Sequence, residues 1–384
     1  MSRLAAIVPT LFALVYVSNG QAPPQSKLSR VAPGPAWLCS GVLPVIDNLR
    51  RPEGENPELQ MSPLQNWNDP SVLKDGSSYV MWASVGTQGG GKGVSIYRLT
   101  SMDGIAWKVA NGGKPVLKPG GSGEFDSYGV ETPVVIKANG KYHLYYTAYK
   151  NHDPLKGGNL FTMGHAVSSD GDQWTKLGEL TSLTDVVGRR EGNPWGWLAR
   201  AEPAPLYKDG IFRLYFADVR CRRDDCGGQA AAIRGISLAL SHDGHIFKQV
   251  GSGPVLLQTR SYPDTEGWEG YSTPSALLDG NDISLFVDVF RHVGNRRFQT
   301  RIARYRSRDG LAFEEVQRDV LTTEGHSWAT MSVRAPSVII DGKEFKMWFA
   351  GDNFDPDHRP GDMLRAIRSG ELRMGIGMAT APHD

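Results

Sequence analysis

An all-β fold, closed as a five-bladed β-propeller of four-stranded antiparallel blades, is what this sequence predicts. Three observations predict it. The first is a five-fold self-similarity: NDPSVLKDGSSYVMWAS, ETPVVIKANGKYHLYYTA, AEPAPLYKDGIFRLYFAD, STPSALLDGNDISLFVDV and RAPSVIIDGKEFKMWFAG each read as an apolar strand, a tight turn with Gly or Asn, and a second strand rich in aromatics. The second is an interleaved turn motif, SMDGIAW from 101, SSDGDQW from 168, SHDGHIF from 241 and SRDGLAF from 307. Its Asp-Gly pair supplies the positive φ of a hairpin turn, and the aromatic three residues after the Gly can pack on the sheet. The third is composition: 45 Gly and 24 Pro are dispersed among apolar runs, as in a chain of many short strands and turns rather than a disordered one.

The elements follow in order. Residues 1–22 read as an export signal, with Arg3, the apolar run LAAIVPTLFALVYV and small residues near Gly20 and Ala22 that permit cleavage. The run is shorter than the ~20 residues that span a bilayer, so a secreted or periplasmic protein is expected rather than an anchored one. Residues 23–60 form a Pro- and Ser-rich lead-in, and residues 61–384 form the propeller. The repeat prolines are Pro70, Pro133, Pro203, Pro274 and Pro336, and nine residues after them stand Tyr79, Tyr142, Phe212, Ile283 and Phe345. Two hairpins per repeat make four strands, and five such units make a five-bladed ring. The last repeat stops after a third strand at MGIGMATAPHD, so the segment GVLPVID is expected to supply the missing strand and close the ring. Cys221 and Cys226 could staple a loop in an oxidising compartment, and Cys39 has no evident partner.

Charge narrows the function. With 42 Lys plus Arg against 41 Asp plus Glu, no global field recruits nucleic acid or an anionic membrane. The tight turns all lie on one face of such a ring, whereas the long, irregular connections and the starts of the innermost strands share the other, where function concentrates. At those starts the residues before the prolines are Asp69, Thr132, Glu202, Thr273 and Ala335, and one position earlier Asn68, Glu131, Ala201, Ser272 and Arg334. Blades 1, 2 and 3 thus each place a carboxylate at the axial rim. A proline can begin a strand without a donor and is expected to hold its predecessor extended, presenting Asp69 to the funnel. Strand-end acids satisfied by backbone N–H groups or by Arg334 are the competing explanation. Three at equivalent positions favour a site, because neighbouring carboxyls shift one another's pKa and divide into acid and base. Glycosidic cleavage needs that division.

These motifs resemble the five-bladed glycosidases over about residues 60–381, above all glycoside hydrolase family 43, with kinship to families 32, 68, 117 and 130. The resemblance implies Asp69 of NDPSV as general base, Glu202 of RAEPAP as general acid, and Glu131 as the group that tunes and orients that acid. Family 32 invertases share NDP, where the aspartate would be the nucleophile, but their second-blade RDP is absent. Family 43 usually shows Asp-Pro in blade 2 and Glu-x-Pro in blade 3, whereas this chain reads ETP and AEP. The roles of Glu131 and Glu202 are therefore open to exchange.

Further candidates surround these acids. Trp195 and Trp197 could stack on a sugar ring, Arg200 and Arg334 could bind hydroxyls or an anionic group, and His326 could point into the funnel. Asp352, Asp355 and Asp357 are spaced so that they could ligate a structural Ca²⁺, but without a full oxygen-ligand register a solvated acidic loop is the better account; the chemistry itself requires no cofactor. The expected activity is exported hydrolysis of plant or algal poly- or oligosaccharides, probed against two alternatives. One is a phosphorylase of the family 130 type, and the other a non-catalytic carbohydrate-binding propeller.

Overall fold

The computed structural model describes residues 34–47, 49–55, 66–86, 93–150, 161–184, 195–222, 233–257, 269–292, 298–353, 365–366, 369 and 371–383. The export segment, most of the lead-in, Cys226, Asp355 and Asp357 lie outside them, as does the side chain of Cys221. Among the described residues no helix is long and apolar enough to cross a membrane.

Two short strands come first, β1 (Leu38–Cys39) and β2 (Ile46–Asp47). Blade 1 contains β3 (Asn66–Asp75), β4 (Ser78–Gly86), β5 (Ser95–Ser101) and β6 (Lys108–Val109). Blade 2 contains β7 (Gly129–Ala138), β8 (Lys141–Tyr149), β9 (Thr162–Ser168) and β10 (Thr175–Glu179). Blade 3 contains β11 (Trp195–Lys208), β12 (Ile211–Arg222), β13 (Ile233–Ser241) and β14 (Lys248–Gln249), with β15 (Leu256–Leu257) also paired to β13. Blade 4 contains β16 (Glu269–Asp279), β17 (Asp282–His292), β18 (Phe298–Ser307) and β19 (Glu314–Leu321). Blade 5 contains β20 (Ser332–Asp341), β21 (Glu344–Asp352) and β22 (Met374–Pro382). Its outermost position is filled by β1 and β2, both antiparallel to β22, with Leu38 opposite Thr380 and Ile46 opposite Ile376. The residues Ile46–Asp47 belong to GVLPVID.

Every turn of the SxDG type folds the same way, which explains its composition. In blade 1 the Ser101 hydroxyl accepts the Gly104 N–H (2.8 Å), while Asp103 Oδ1 accepts those of Ile105 and Ala106 (both 2.8 Å). Gly104 has φ 78°, and a Cβ there would sit 2.7 Å from Trp348 Cζ2, so only glycine fits. The turn also joins neighbouring blades. Twelve residues after the repeat prolines stand Trp82, Tyr145, Tyr215, Phe286 and Trp348. Trp348 Nε1 donates to Gly104 O (2.8 Å), Trp82 Nε1 to Gly171 O (3.1 Å), Tyr145 OH to Gly244 O (2.6 Å) and Tyr215 OH to Gly310 O (3.0 Å). Each of these four aromatics thus fills a seam with its body and satisfies the next blade's turn with its polar tip, whereas Phe286, without a polar tip, only fills its seam.

The apolar core follows the seams. One cluster joins Trp348 and Met378 of blade 5 to Tyr79 and Met81 of blade 1, and each of the other four seams has its own cluster. Near the axis the innermost strands belong to different sheets, so no ladder pairs their facing N–H groups, and serines do so instead. Val135 N–H donates to Ser71 Oγ (3.0 Å), Val72 N–H to Ser337 Oγ (2.8 Å) and Val338 N–H to Ser275 Oγ (3.2 Å). This is why Ser follows Pro in blades 1, 4 and 5.

Candidate active site

The residues before the five prolines are not extended. Asp69, Thr132, Glu202, Thr273 and Ala335 have φ of 47°, 48°, 55°, 33° and 49°, in the left-handed region that non-glycine residues seldom enter. Each sits in a β-bulge, where the register between the first two strands of its blade shifts. The expectation of an extended predecessor is therefore corrected: the bulge overrides the local proline preference and re-aims the side chain at the strand's start. Such backbone typically costs about 1–3 kcal/mol per residue and persists only where surroundings enforce it. Here the neighbouring blade enforces it. The Thr132 N–H donates to Ser84 Oγ (2.9 Å), that of Glu202 to Thr147 Oγ1 (2.8 Å), and that of Ala335 to Asp288 Oδ1 (3.4 Å). In blade 3 the corresponding position is Ala217, and Thr273 N–H turns instead to Glu202 Oε2 (2.9 Å).

The three predicted carboxyls meet around the axis. Asp69, Glu131 and Glu202 are all buried, and each lies within the electrostatic reach of the other two. Burial pushes the Asp69 carboxyl up; Arg334 pulls it down, the Glu202 charge pushes it up, and hydrogen bonds from Ser84 and Thr132 lower it. Thr132 Oγ1 lies 3.4 Å from Asp69 Oδ2. Glu131 is pushed up to about 8, first by burial and then by the Asp69 charge, against the hydrogen bond that Tyr149 OH donates to its Oε2 (3.3 Å). Glu202 Oε2 accepts the Ser272 hydroxyl as well as the Thr273 N–H, which fixes its orientation.

Arg334 is the counter-charge. It is buried, pairs with Asp352 through Nη1 (2.9 Å) and reaches Asn68 Oδ1 through Nη2 (3.3 Å). Its field lowers the proton affinity of Asp69, Glu131 and Asp288. Asp288, on β17, is a fourth carboxyl that the strand-start pattern missed. It is 1% exposed, and burial together with the Glu202 charge raises it well above the carboxylate range. Arg234 of β13 is buried within the field of both Glu202 and Asp288. Blades 1 to 5 thus contribute Asp69, Glu131, Glu202, Asp288 and Arg334 in turn, with Arg234 a further charge from blade 3.

Other candidates lie elsewhere. Arg200 donates to Leu183 O and to Gln249 Oε1 (2.7 Å) in the seam beside blade 3 and lies over Phe216, so it does not join the acids as expected. His326 is also corrected: it stands at the ring closure, with Nε2 3.9 Å from Cys39 Sγ and its ring against Trp328 and Phe349, beneath the strand that joins the two ends of the chain. The side chains of Trp195 and Trp197 lie outside the described residues. Asp352 does not fit a Ca²⁺ ligand set, because its carboxylate is spent on Arg334 and Ser332 (2.5 Å). Among the described residues no group of three or more His, Cys, Asp and Glu is arranged to hold a metal ion.

The proton held on Glu131 has a consequence for stability. Its affinity is about 8 in the folded chain against an ordinary value of 4.5, so the stabilisation tied to protonation is complete below pH ~4.5 and is lost as pH rises through 8. We expect Glu131→Gln to gain stability relative to the parent across that window, by on the order of a few kcal/mol at its upper end. Denaturant melts at pH 5 and pH 9 measure it; a difference between the two proteins that does not change with pH would contradict the shift.

No family profile matches the chain. Two uncharacterized proteins of Mycobacterium tuberculosis, from strains CDC 1551 and H37Rv, are each 25% identical over 270 residues, covering 66% of this chain and 80% of theirs. Among solved structures, a family 117 glycoside hydrolase of the marine bacterium Zobellia galactanivorans superposes with a TM-score of 0.59 at 15% identity, covering 90% of each chain. A putative glycoside hydrolase of Parabacteroides distasonis gives 0.59 at 14% identity, over 90% of this chain and 96% of that one. A thermostable family-43 glycoside hydrolase gives 0.54 at 16% identity, over 84% and 91%. The chain therefore has the fold of the five-bladed propeller glycosidases.

Proposed function

We propose that the chain is an exported glycoside hydrolase that cleaves plant or algal poly- or oligosaccharides with two carboxyl groups and inverts the anomeric centre. One observation carries the reading: three buried carboxyls from adjacent blades converge on one axis beside Arg334, with the proton affinity of two of them raised. The fold likeness to family 117 and family-43 hydrolases supports it. Asp69, with Arg334 and two hydroxyls favouring its ionised form, takes a proton from the attacking water. As the new C–O bond forms and the glycosidic bond breaks, Glu131 gives its proton to the leaving oxygen. Glu202, held by Ser272 and Thr273, orients the sugar between them. This assigns the donor to Glu131, whose carboxyl is pushed up to about 8 by burial and the Asp69 charge.

The test is turnover of aryl glycosides and of plant and algal oligosaccharides by the protein from about residue 23, with and without phosphate, following the product anomer by NMR. Phosphate-independent release with inversion is the expected result. Retention would make Asp69 the nucleophile, and strict phosphate dependence would replace hydrolysis by phosphorolysis. Sugar binding without any turnover would overturn the enzyme reading.

A further inference from the structure

Strand-start residues have partners on the second strand of their own blade, and one of these partners is Tyr149. Two positions before the repeat prolines stand Asn68, Glu131, Ala201, Ser272 and Arg334, and sixteen positions after them Gly86, Tyr149, Val219, Phe290 and Asp352. The antiparallel register sets the two positions diagonally on one face of each blade. Only blades 2 and 5 have an ionisable residue at the first position, and only there is the second residue polar. Arg334 Nη1 donates to Asp352 Oδ2 (2.9 Å), and Tyr149 OH donates to Glu131 Oε2 (3.3 Å).

Tyr149 reaches Glu131 across Gly129. The two are directly opposite in the β7–β8 pair, and a Cβ on Gly129 would sit 2.6 Å from both Cζ and OH of the phenol. Gly129 has no positive φ, so the backbone does not call for glycine; the ring lying over it does. Phe161 meets that ring edge-on (centroids 5.1 Å apart), Tyr128 flanks it at 5.8 Å, and Tyr149 is 1% exposed. The phenol keeps its own proton and so remains a donor, because burial and the Glu131 charge push it well above its ordinary range.

We propose that Tyr149 is a positioning residue of the active site, laid across Gly129 so that its hydroxyl holds the Glu131 carboxyl by Oε2 and supports negative charge on it. Among the described residues, Glu131 is faced by Asp69 from β3, Glu202 from β11, Arg334 from β20 and Tyr149 from β8, and Tyr149 by Glu131, Tyr128 and Asp69. Burial, Asp69 and Glu202 oppose ionisation of Glu131. Tyr149 and Arg334 offset them, keeping the carboxyl acidic enough to part with its proton near neutral pH. The kinetic consequence rests on the hydrolase reading, whereas the proton affinity itself does not.

In protein labelled with ¹³C-glutamate, the protonated-carboxyl infrared band that Glu131→Gln removes follows Glu131 without any substrate. Tyr149→Phe keeps the ring and removes the hydroxyl; the band is expected to persist to a pH about one unit above the parent's midpoint. Gly129→Ala keeps the hydroxyl but displaces it, so it should give the same upward shift, and adding Tyr149→Phe to it should add nothing further. The basic limb of kcat/KM should move up with the band. An unmoved or lowered midpoint in Tyr149→Phe would reduce Tyr149 to seam packing, a role that alters the unfolding midpoint alone. A shift in Tyr149→Phe without one in Gly129→Ala would overturn the placement by Gly129, and if Gly129→Ala does not fold, Tyr149→Phe still decides whether the hydroxyl acts on Glu131. If the parent turns over no glycoside, the hydrolase reading fails while the band still decides the role of Tyr149.

Discussion

Asp69→Asn lowers kcat by about 10²–10⁴-fold while the protein stays folded. The side chain is isosteric, so the bulge and the contact from Thr132 Oγ1 survive; what disappears is the carboxylate that blade 1 brings to the other two acids and that could take a proton from water. Because burial already opposes the Asp69 charge, replacing it with a neutral amide relieves a cost, and the unfolding midpoint should not fall. Activity within tenfold of the parent would remove Asp69 from the chemistry. Azide distinguishes its two possible roles. Restoration of turnover with a glycosyl azide of opposite configuration to the parent's product would identify a lost nucleophile, whereas a lost base gives the azide of the parent's own stereochemistry.

Glu131→Gln should erase the basic limb of the pH profile. In the parent, activity is expected to decline as pH rises through about 8, where the Glu131 carboxyl gives up its proton and can no longer protonate the leaving oxygen. With glutamine no such group remains, so the residual rate is flat there and depends steeply on the leaving group: acidic phenols depart nearly as fast as from the parent, and alkyl alcohols are slower by about 10²–10⁴-fold. Glu202→Gln should keep the limb and lose rate on both kinds of substrate, through misplaced sugar. If instead Glu202→Gln erases the limb, the donor is Glu202, as the family 43 resemblance implies, and Glu131 is the group that tunes it.

Much of this was legible in the sequence because its causes are local and repeated. Proline, the Asp-Gly turns and the aromatics recur at fixed spacing, since each blade solves the same packing problem between two neighbours. Asp69, Glu131 and Glu202 were visible for the same reason. Asp288 escaped because it comes from a second strand, in LFVDVF, where a lone acid among buried apolar residues was itself the signal. Extending the repeat alignment fourteen residues past each proline would have set it beside Ser84 and Thr147. Arg200 and His326 failed for another reason: proximity in sequence to Glu202 or to the fifth proline does not determine which side of a strand faces the axis. The left-handed backbone at Thr132 and Glu202 was illegible too, because it is held by hydrogen bonds to the neighbouring blade, 48 and 55 residues away in sequence.

The pairing of Leu38 with Thr380 and of Ile46 with Ile376 also bears on the order of events during folding. Blades 1 to 4 are built from contiguous chain and can form as each is synthesised, but the fifth is incomplete until β22 meets a segment that precedes blade 1. The closing contact has nearly the greatest sequence separation the chain offers, and such contacts form late and slowly. Until then an unpaired edge of β22 and an apolar seam remain open to other chains, so misassembly is favoured until β1 and β2 have paired with β22.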